Sequence, residues 1–596
     1  AQIPVRLVGG GVRPAEVRVV RPPVWAPLPP LPAPRPAAAG TAPATAMELN
    51  ADYLLLQNAH SGWLVSRAGL GALVYVAVGG AWEPVGTVAP WAEIADPAGE
   101  DRPLRFEGLA VAADPAKAVL TATGSSVTGL TCALRAELAP GRPALRVELQ
   151  LQTSEPTALR AFRGPAVHAG ERAGGARKGI AFFPGLEYLD GDERSSSTRD
   201  LAPPLHERWV PHKFKVTLPL MLVETRDHGP VLGIAWDARQ AWDGNRMAPG
   251  ACFASPDFVT LQDSHLMQLL LPSVPDGIPE SRRAAAQALA LKPGAPWTLA
   301  QFLVAGLPQP DATAALRWYD DLVGYPAPEA PPRSFEEEMA LCRHGFMVTA
   351  WDAEKEQGRH VVGWSSANAP GFATLMLIDA RCVATGPAKA QLLERVKRIG
   401  EKTVREQGAA GLASSACCHA MGWEFPYHWG YLPGALEGMK AAAYDSLQHQ
   451  EADGLWGFFP GKDHEKLGKP GTRTMGICGR HAYLMAKYVA ITGDPEVRAG
   501  LERALAGMAQ FRVPRGAQGW ECPILEPDVL ASAYAVRAYV WTAMATGDRK
   551  WLAQADFWAR TGLPFQYVWD DGQHPGMRYA SIPVFGSTFF THTWIG

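Results

Sequence analysis

From about residue 50 to residue 310, apolar positions recur every second residue or in short runs, and Gly, Pro and Asp punctuate them. Leu104–Asp114, Lys117–Ser126, Pro143–Glu155, Lys215–Thr225, Pro230–Ala238 and His265–Val274 all have strand length and strand pattern. No helical stretch alternates with them, which excludes a doubly wound sheet and predicts one large antiparallel β-sandwich. Residues 311–324 carry helical spacing, and the Pro-rich 325–334 ends it, so 311–334 is expected to be a connector helix and linker. After 335 the period changes to that of amphipathic helices. Helices are predicted over 335–352, 371–385, 387–407, 411–421, 431–450, 474–491, 495–510, 528–545 and 549–561.

A short phrase recurs between these helices. Ala384-Thr385-Gly386-Pro387, Ile491-Thr492-Gly493-Asp494 and Ala545-Thr546-Gly547-Asp548 each place Gly where a helix ends and Asp or Pro where the next begins. The spacing implies one helical hairpin per roughly 54 residues. The connections of opposite parity, 355–370, 451–473, 511–527 and 562–590, are long and rich in aromatic and charged residues. Antiparallel helices would gather them at one end, and long loops in compact domains usually carry function. The expected arrangement is an (α/α) toroid over 335–596 with a single active face. A full six-hairpin toroid needs twelve helices, so the ring is cut short at the C-terminus, smaller, or open.

Composition narrows the chemistry. The chain has 596 residues, 47% hydrophobic and 19% charged, which suits large cores and excludes a disordered chain. Net charge is −3 and no basic stripe stands out, which argues against nucleic acid as the main partner. No apolar run is long enough to span a membrane. The eight cysteines form no Cys-x-x-Cys pair, so zinc ribbons and thioredoxin-type sites are excluded and buried thiols are the simplest reading. Gly-x-Ser-x-Gly, His-Glu-x-x-His, P-loop and dinucleotide fingerprints are absent, and no cofactor or metal is expected. Residues 1–49 form a Pro-rich lead or linker. With Ala1 in place of Met, it fits a secreted or periplasmic chain, or a fragment.

The arrangement resembles that of bacterial carbohydrate-active enzymes with an N-terminal β-sandwich and an α/α toroid, glucoamylase-like hydrolases and glycoside phosphorylases among them. Phe183-Pro-Gly-Leu-Glu-Tyr-Leu-Asp-Gly-Asp-Glu-Arg194, Gln450-Glu-Ala-Asp-Gly-Leu-Trp456 and Trp558-Ala-Arg-Thr-Gly-Leu-Pro-Phe565 are similar to stretches of such proteins. The resemblance implies a carbohydrate substrate and matches no catalytic signature residue by residue.

Glycoside hydrolysis needs a carboxylic acid to protonate the leaving oxygen and a second carboxylate as base or nucleophile. Glu521, Glu526 and Asp528 follow Trp520, although Asp528 equally suits a helix N-cap with Glu526 complementing the dipole. Asp453 precedes Trp456 but lies in an Asp-Gly turn signal. Asp570 follows Trp569, and His574 and Arg578 are nearby. His360 and Trp364 lie in the first long loop. Glu424 and His428 belong to the densest aromatic cluster, Trp423–Trp429, which parity would put at the opposite end. Asp192, in an acidic sandwich loop, is a substrate contact, a plain turn or a calcium ligand. The leading expectation is a glycosidase in which Glu521 or Glu526 works opposite Asp453 or Asp570, with Trp364, Trp456, Trp520 and Trp569 as sugar platforms. A polysaccharide lyase using Tyr427/His428, Arg480/His481 or His574/Arg578/Tyr579, and a non-catalytic glycan-binding protein, are the alternatives.

Overall fold

The structure is a computed structural model. It describes residues 25–34, 43–126, 129–170, 177–195, 210–246, 248–257, 264–274, 287–325, 327, 330, 332–413, 425–572 and 580–586. It divides into two compact units, Ala1–Tyr325 with Leu563–Gly596, and Pro326–Gly562. The first is built on large antiparallel sheets and the second on helices, a multidomain β plus α architecture.

Among the described residues of the β unit, one sheet has eleven strands and a second has nine. The second sheet runs in the order 187–190, 180–183, 220–224, 231–235, 297–306, 144–153, 130–138, 118–125 and 105–113, antiparallel throughout. Its strands fall where the apolar pattern puts them. Along Ala118–Ser125 and Leu130–Leu138 burial alternates, so Leu120, Ala122, Leu134 and Ala136 face inward and Thr121, Thr123 and Arg135 face out. The unbroken apolar strands Leu220–Glu224, Val231–Ala235, Gly250–Ala254 and His265–Leu271 are buried along their whole length, as strands covered on both faces are. The two sheets stack face to face, and the approach is close at Gly86, where a Cβ would lie 2.6 Å from Leu232. The connector is a 3₁₀ turn Ala312–Arg317 followed by α1 (Trp318–Leu322), and both belong to this unit.

The helical unit contains α2 (Phe335–His344), α3 (Pro370–Cys382), α4 (Gly386–Gln407), α5 (Phe425–His428), α6 (Leu432–Gln448), α7 (Met475–Thr492), α8 (Pro495–Met508), α9 (Val529–Thr546) and α10 (Lys550–Arg560). The repeated Thr-Gly turns join α3 to α4, α7 to α8 and α9 to α10. Gly493 and Gly547 sit in the left-handed region at φ +71°, and the Asp494 side chain caps α8 through the N–H groups of Glu496 and Val497. Helix α8 buries Val497, Leu501, Ala504, Leu505 and Met508, one stripe at helical spacing.

One helix expectation changes. The helix read over 335–352 stops at His344 and passes through a π turn, Gly345–Thr349, into a small three-stranded sheet, Trp351–Asp352, Gln357–Arg359 and Ser366–Ala367. Of the helix read over 411–421 only 411–413 are described, in the 3₁₀ turn Ala409–Ala413, and 414–424 lie outside the described residues. The described helices do not establish a ring of hairpins around one core. Their buried side chains make two clusters, one from α3, α4 and α5 and the other from α6 through α10.

The last expected loop also lies elsewhere. The segment from Leu563 belongs to the β unit. Val568 N–H donates to Thr217 O (3.1 Å), Trp569 Nε1 to Val216 O (2.8 Å) and Gly586 N–H to Gly185 O (3.1 Å). Phe565 packs on Phe585 and Phe585 on Tyr188, so these apolar residues complete the core of the β unit. A polar-aromatic composition marks a loop, and nothing in it states which core the loop closes.

Candidate functional site

Helices α7 and α9 are extensively packed neighbours, and the loops 449–474 and 509–528 lead into their N-terminal ends. The loops are joined to each other. Ile524 N–H donates to Leu467 O at 2.7 Å, and a Cβ on Gly468 would collide with Ile524. Gly476, in the first turn of α7, donates to Arg515 O at 2.9 Å, and a Cβ there would lie 2.2 Å from Ala517 N. Only glycine allows this close approach.

The surface so formed carries Trp520, 47% exposed, and Phe459, 73% exposed. Glu521 stands next to Trp520 and is exposed. The N–H groups of Glu521 and Cys522 both donate to Gln518 O, at 3.1 and 3.0 Å, so residues 518–522 make a tight turn presenting the indole and the carboxylate together. Glu526 is half-buried beyond it.

Asp528 is 1% exposed and is the N-cap of α9. Its Oδ1 accepts from Ala531 N–H (2.8 Å) and its Oδ2 from Ala517 N–H (2.9 Å). Burial pushes its pKa up to about 6, although the backbone N–H groups favour the charged form. It is almost wholly enclosed and serves as a cap and a loop tether.

Asp453 is also engaged. It lies in a turn with Gly454 at φ +82°, and Arg473 bridges it at 2.7 Å to Glu451 at 2.6 Å. Trp456 is a core residue and no platform. It is 3% exposed, donates Nε1 to Ser446 O (2.8 Å), and stacks on His481 with ring centroids 4.8 Å apart. Ser446 Oγ lies 3.0 Å from His481 Nδ1, and burial holds the imidazole down to about 4, uncharged at neutral pH. His481 is half-buried against Trp456, and Arg480 beside it is exposed.

The loop 355–370 is tied to its surroundings by polar pairs. Arg359 meets Asp352 at 2.8 Å, Ser366 donates to Asp352 Oδ2 at 3.0 Å, and Asn368 donates to Glu406 Oε2 at 3.2 Å. Trp364, 63% exposed, packs beside His360 with rings 5.6 Å apart. His428 ends α5, and its carbonyl accepts from Arg381 at 3.3 Å. Glu424, His574, Arg578 and Tyr579 lie outside the described residues.

Two expected sites belong to the β unit. Trp569 is 2% exposed and stacked on Phe214, and Asp570, 4% exposed, accepts the Gly572 N–H at 2.8 Å. Trp236 and Trp569 border a narrow crevice there, and both rings are buried in packing. Neither Trp569 as a platform nor Asp570 as an open acid survives this burial. Asp192 is exposed at the tip of a turn over Lys178. The Lys178 ammonium donates to Glu193 O at 2.5 Å, and burial lowers its pKa against the pull of Glu193, Asp192, Asp190 and Glu187. A lysine charge thus fills the acidic loop in which calcium was an alternative. Among the described residues no three His, Cys, Asp or Glu side chains converge to hold a metal, and no helix is long and apolar enough to cross a membrane.

Sequence reasoning missed Arg473 as the bridge between Glu451 and Asp453, and Lys178 beneath the acidic turn. Both are single basic residues distant in sequence from their partners, and nothing local marks them.

No known protein family matches the sequence, and no curated protein matches it. Solved structures show a faint likeness. A polysaccharide lyase is 11% identical with TM-score 0.30, over 89% of this chain and 93% of that one. A TPR-domain-containing protein from Parabacteroides distasonis is 10% identical with TM-score 0.27, over 89% and 88%. An α-galactosidase from Lactobacillus brevis is 8% identical with TM-score 0.30, over 66% and 69%. Likeness at this level assigns neither substrate nor reaction.

Proposed function

We propose that the chain is a carbohydrate-active enzyme, a glycosidase whose site lies on the loop surface before α7 and α9. The observation that supports it is the turn 518–522, which presents an exposed indole and an exposed carboxylate side by side, with Phe459 on the neighbouring loop. A sugar ring offers C–H faces to aromatic rings and oxygens to a proton donor, and this surface supplies both. Glu521 is the proposed acid, with Glu526 as its candidate partner. Trp520 and Phe459 are the proposed platforms, and Trp364 with His360 is a further candidate contact. Asp453 is held by Arg473, which leaves it a weaker candidate for the second carboxylate.

The test is incubation with a panel of plant, algal and host polysaccharides, following reducing ends and the ultraviolet absorbance of a C4–C5 double bond together. Reducing ends without absorbance are expected. Absorbance rising with the reducing ends would replace hydrolysis by β-elimination. Oligosaccharide binding without turnover would leave a glycan-binding protein.

A further inference from the structure

The Asp528 carboxylate joins two elements that need not move together. Oδ1 serves the first turn of α9 through Ala531 N–H, and Oδ2 serves the loop through Ala517 N–H, three residues before Trp520. On the N-terminal side of Ala517 the loop is pinned twice more, by Asp528 N–H to Pro514 O (3.0 Å) and by Gly476 N–H to Arg515 O (2.9 Å). On its C-terminal side the turn 518–522 is tied within itself, through Gln518 O. Ala517 is therefore the junction between a fixed stretch and the turn that carries Trp520 and Glu521.

The N–H groups of Gly516 and Leu530 also favour the charged form, so donors face it from the loop and from the helix, and a carboxylate accepts from both sides equally well. A carboxylic acid does not, because its hydroxyl oxygen must donate and accepts poorly. One N–H then loses its partner. The Ala531 N–H is fixed by the helix, whose dipole also favours charge at this end, so the loop N–H is the one that moves.

We propose that Asp528 is a positioning residue whose charge state sets the turn 518–522: the carboxylate holds Ala517 and so aims Trp520 and Glu521, and the protonated acid releases them. The proposal rests on the reading of that turn as the site, and extends it to regulation. The ionisable groups around the cap are few. Cys522 lies in the same loop, and burial first, then Glu521, Asp528 and Glu526, push its thiol up to about 11. Arg515 belongs to the same loop, and its backbone pairs with that of Pro527. Arg473, before α7, is committed to Glu451 and Asp453, and the first turn of α9 contains no acidic residue. The elevated pKa of Asp528 places the release within a range that solution experiments reach.

Hydrogen exchange of the full chain, read as protection factors for peptides covering 515–522 between pH 5 and 8, tests this. Protection there should fall roughly tenfold as pH drops through about 6, the worth of one backbone hydrogen bond. Amides in the middle of α7 and α9 should hold. D528N keeps one acceptor oxygen and cannot serve both N–H groups, so it should show the low protection at every pH. Protection that stays flat with pH in the parent chain, which needs no variant, overturns the proposal. So does parent-like protection in D528N at pH 8. Activity separates the two claims: turnover retained by E521Q removes Glu521 from the chemistry and leaves the exchange result standing. If E521Q is inactive, the acid limb of the parent pH–rate profile near 6 should be absent in D528N, and an unchanged limb counts against the positioning role.

Discussion

Tryptophan stands near an acidic residue or a histidine four times in the expected loops, and burial separates the four. Trp456 and Trp569 are 3% and 2% exposed, and each gives its indole N–H to a backbone carbonyl. Trp520 and Trp364 are 47% and 63% exposed. Composition cannot tell these pairs apart, because the same ring serves a core or a platform. Their substitutions should differ. W456A is expected to cost about 3–5 kcal/mol of stability, as a large buried ring does, whereas W520A should leave the urea midpoint unchanged and raise KM roughly five- to tenfold, about 1–1.4 kcal/mol of contact. E521Q should lower kcat by about 10²-fold or more at unchanged stability; full activity would remove Glu521 from the mechanism. The buried titrating groups make a second prediction, with opposed signs. Asp528 is raised from 3.8 to about 6, so its contribution to stability is present below about 4 and lost as pH rises through 6. His481 is lowered from 6.5 to about 4, so its contribution is present above 6.5 and lost as pH falls toward 4. Each shift of about two units is worth roughly 3 kcal/mol, and the two largely offset each other between pH 4 and 7. D528N removes one of them. Its stability should fall on acidification over that window while the parent chain's stays nearly level, as urea midpoints at pH 4.5 and 7 would show. Parallel profiles for the two proteins would mean that Asp528 does not titrate in the folded state as described.

At the scale of elements, the hairpin turns were the most legible feature. A Gly at φ +71° after α7 and another after α9, with Asp494 capping α8, follow from local chemistry that any chain with Thr-Gly-Asp at that spacing would show. The strands were legible for a similar reason: period two over 118–125 and 130–138 can bury only one face. Of the helix expected over 411–421 only the start is described, in the 3₁₀ turn Ala409–Ala413 that follows Gly408. What no local pattern contained is the contact of one loop with another. Gly476 reads as an ordinary helix glycine, yet it is the place where 516–517 lies on α7. Gly476→Ala should therefore cost about 1–3 kcal/mol, the range for inserting a methyl group into a packed contact, far more than alanine's better helix propensity returns. It should also raise amide exchange in 514–518. An unchanged or increased urea midpoint would show that the loop yields at no cost.

At the scale of the molecule, the β unit is discontinuous in sequence. The chain leaves the β unit near residue 325, builds the helical unit, and contributes 563–586 to the β unit again. The expectation that this segment packs with the helices that precede it assumed that a segment packs with its sequence neighbours, whereas its described residues pack within the β unit. Phe565, Tyr567, Val568, Trp569, Ile582, Val584 and Phe585 are buried, and their contacts run to Gly185, Tyr188, Phe214, Val216 and Thr217. A β unit completed by a distant segment depends on that segment for its core, so the loop 213–219 should be ordered only while the segment is docked. F585A leaves a cavity against Phe565 and Tyr188 and should destabilise the β unit by about 3–5 kcal/mol. The change should be local to that unit: amide exchange in 185–188, 213–219 and 565–569 rises, and exchange within α7, α8 and α9 does not. W569A makes the sharper comparison. A tryptophan that serves as a sugar platform can be truncated without thermal cost, whereas one that gives its N–H to Val216 O and stacks on Phe214 cannot. An unfolding transition unmoved in W569A, with loss of oligosaccharide binding, would return this segment to the candidate site. A lowered transition with exposed 213–219 amides would fix it as part of the β core.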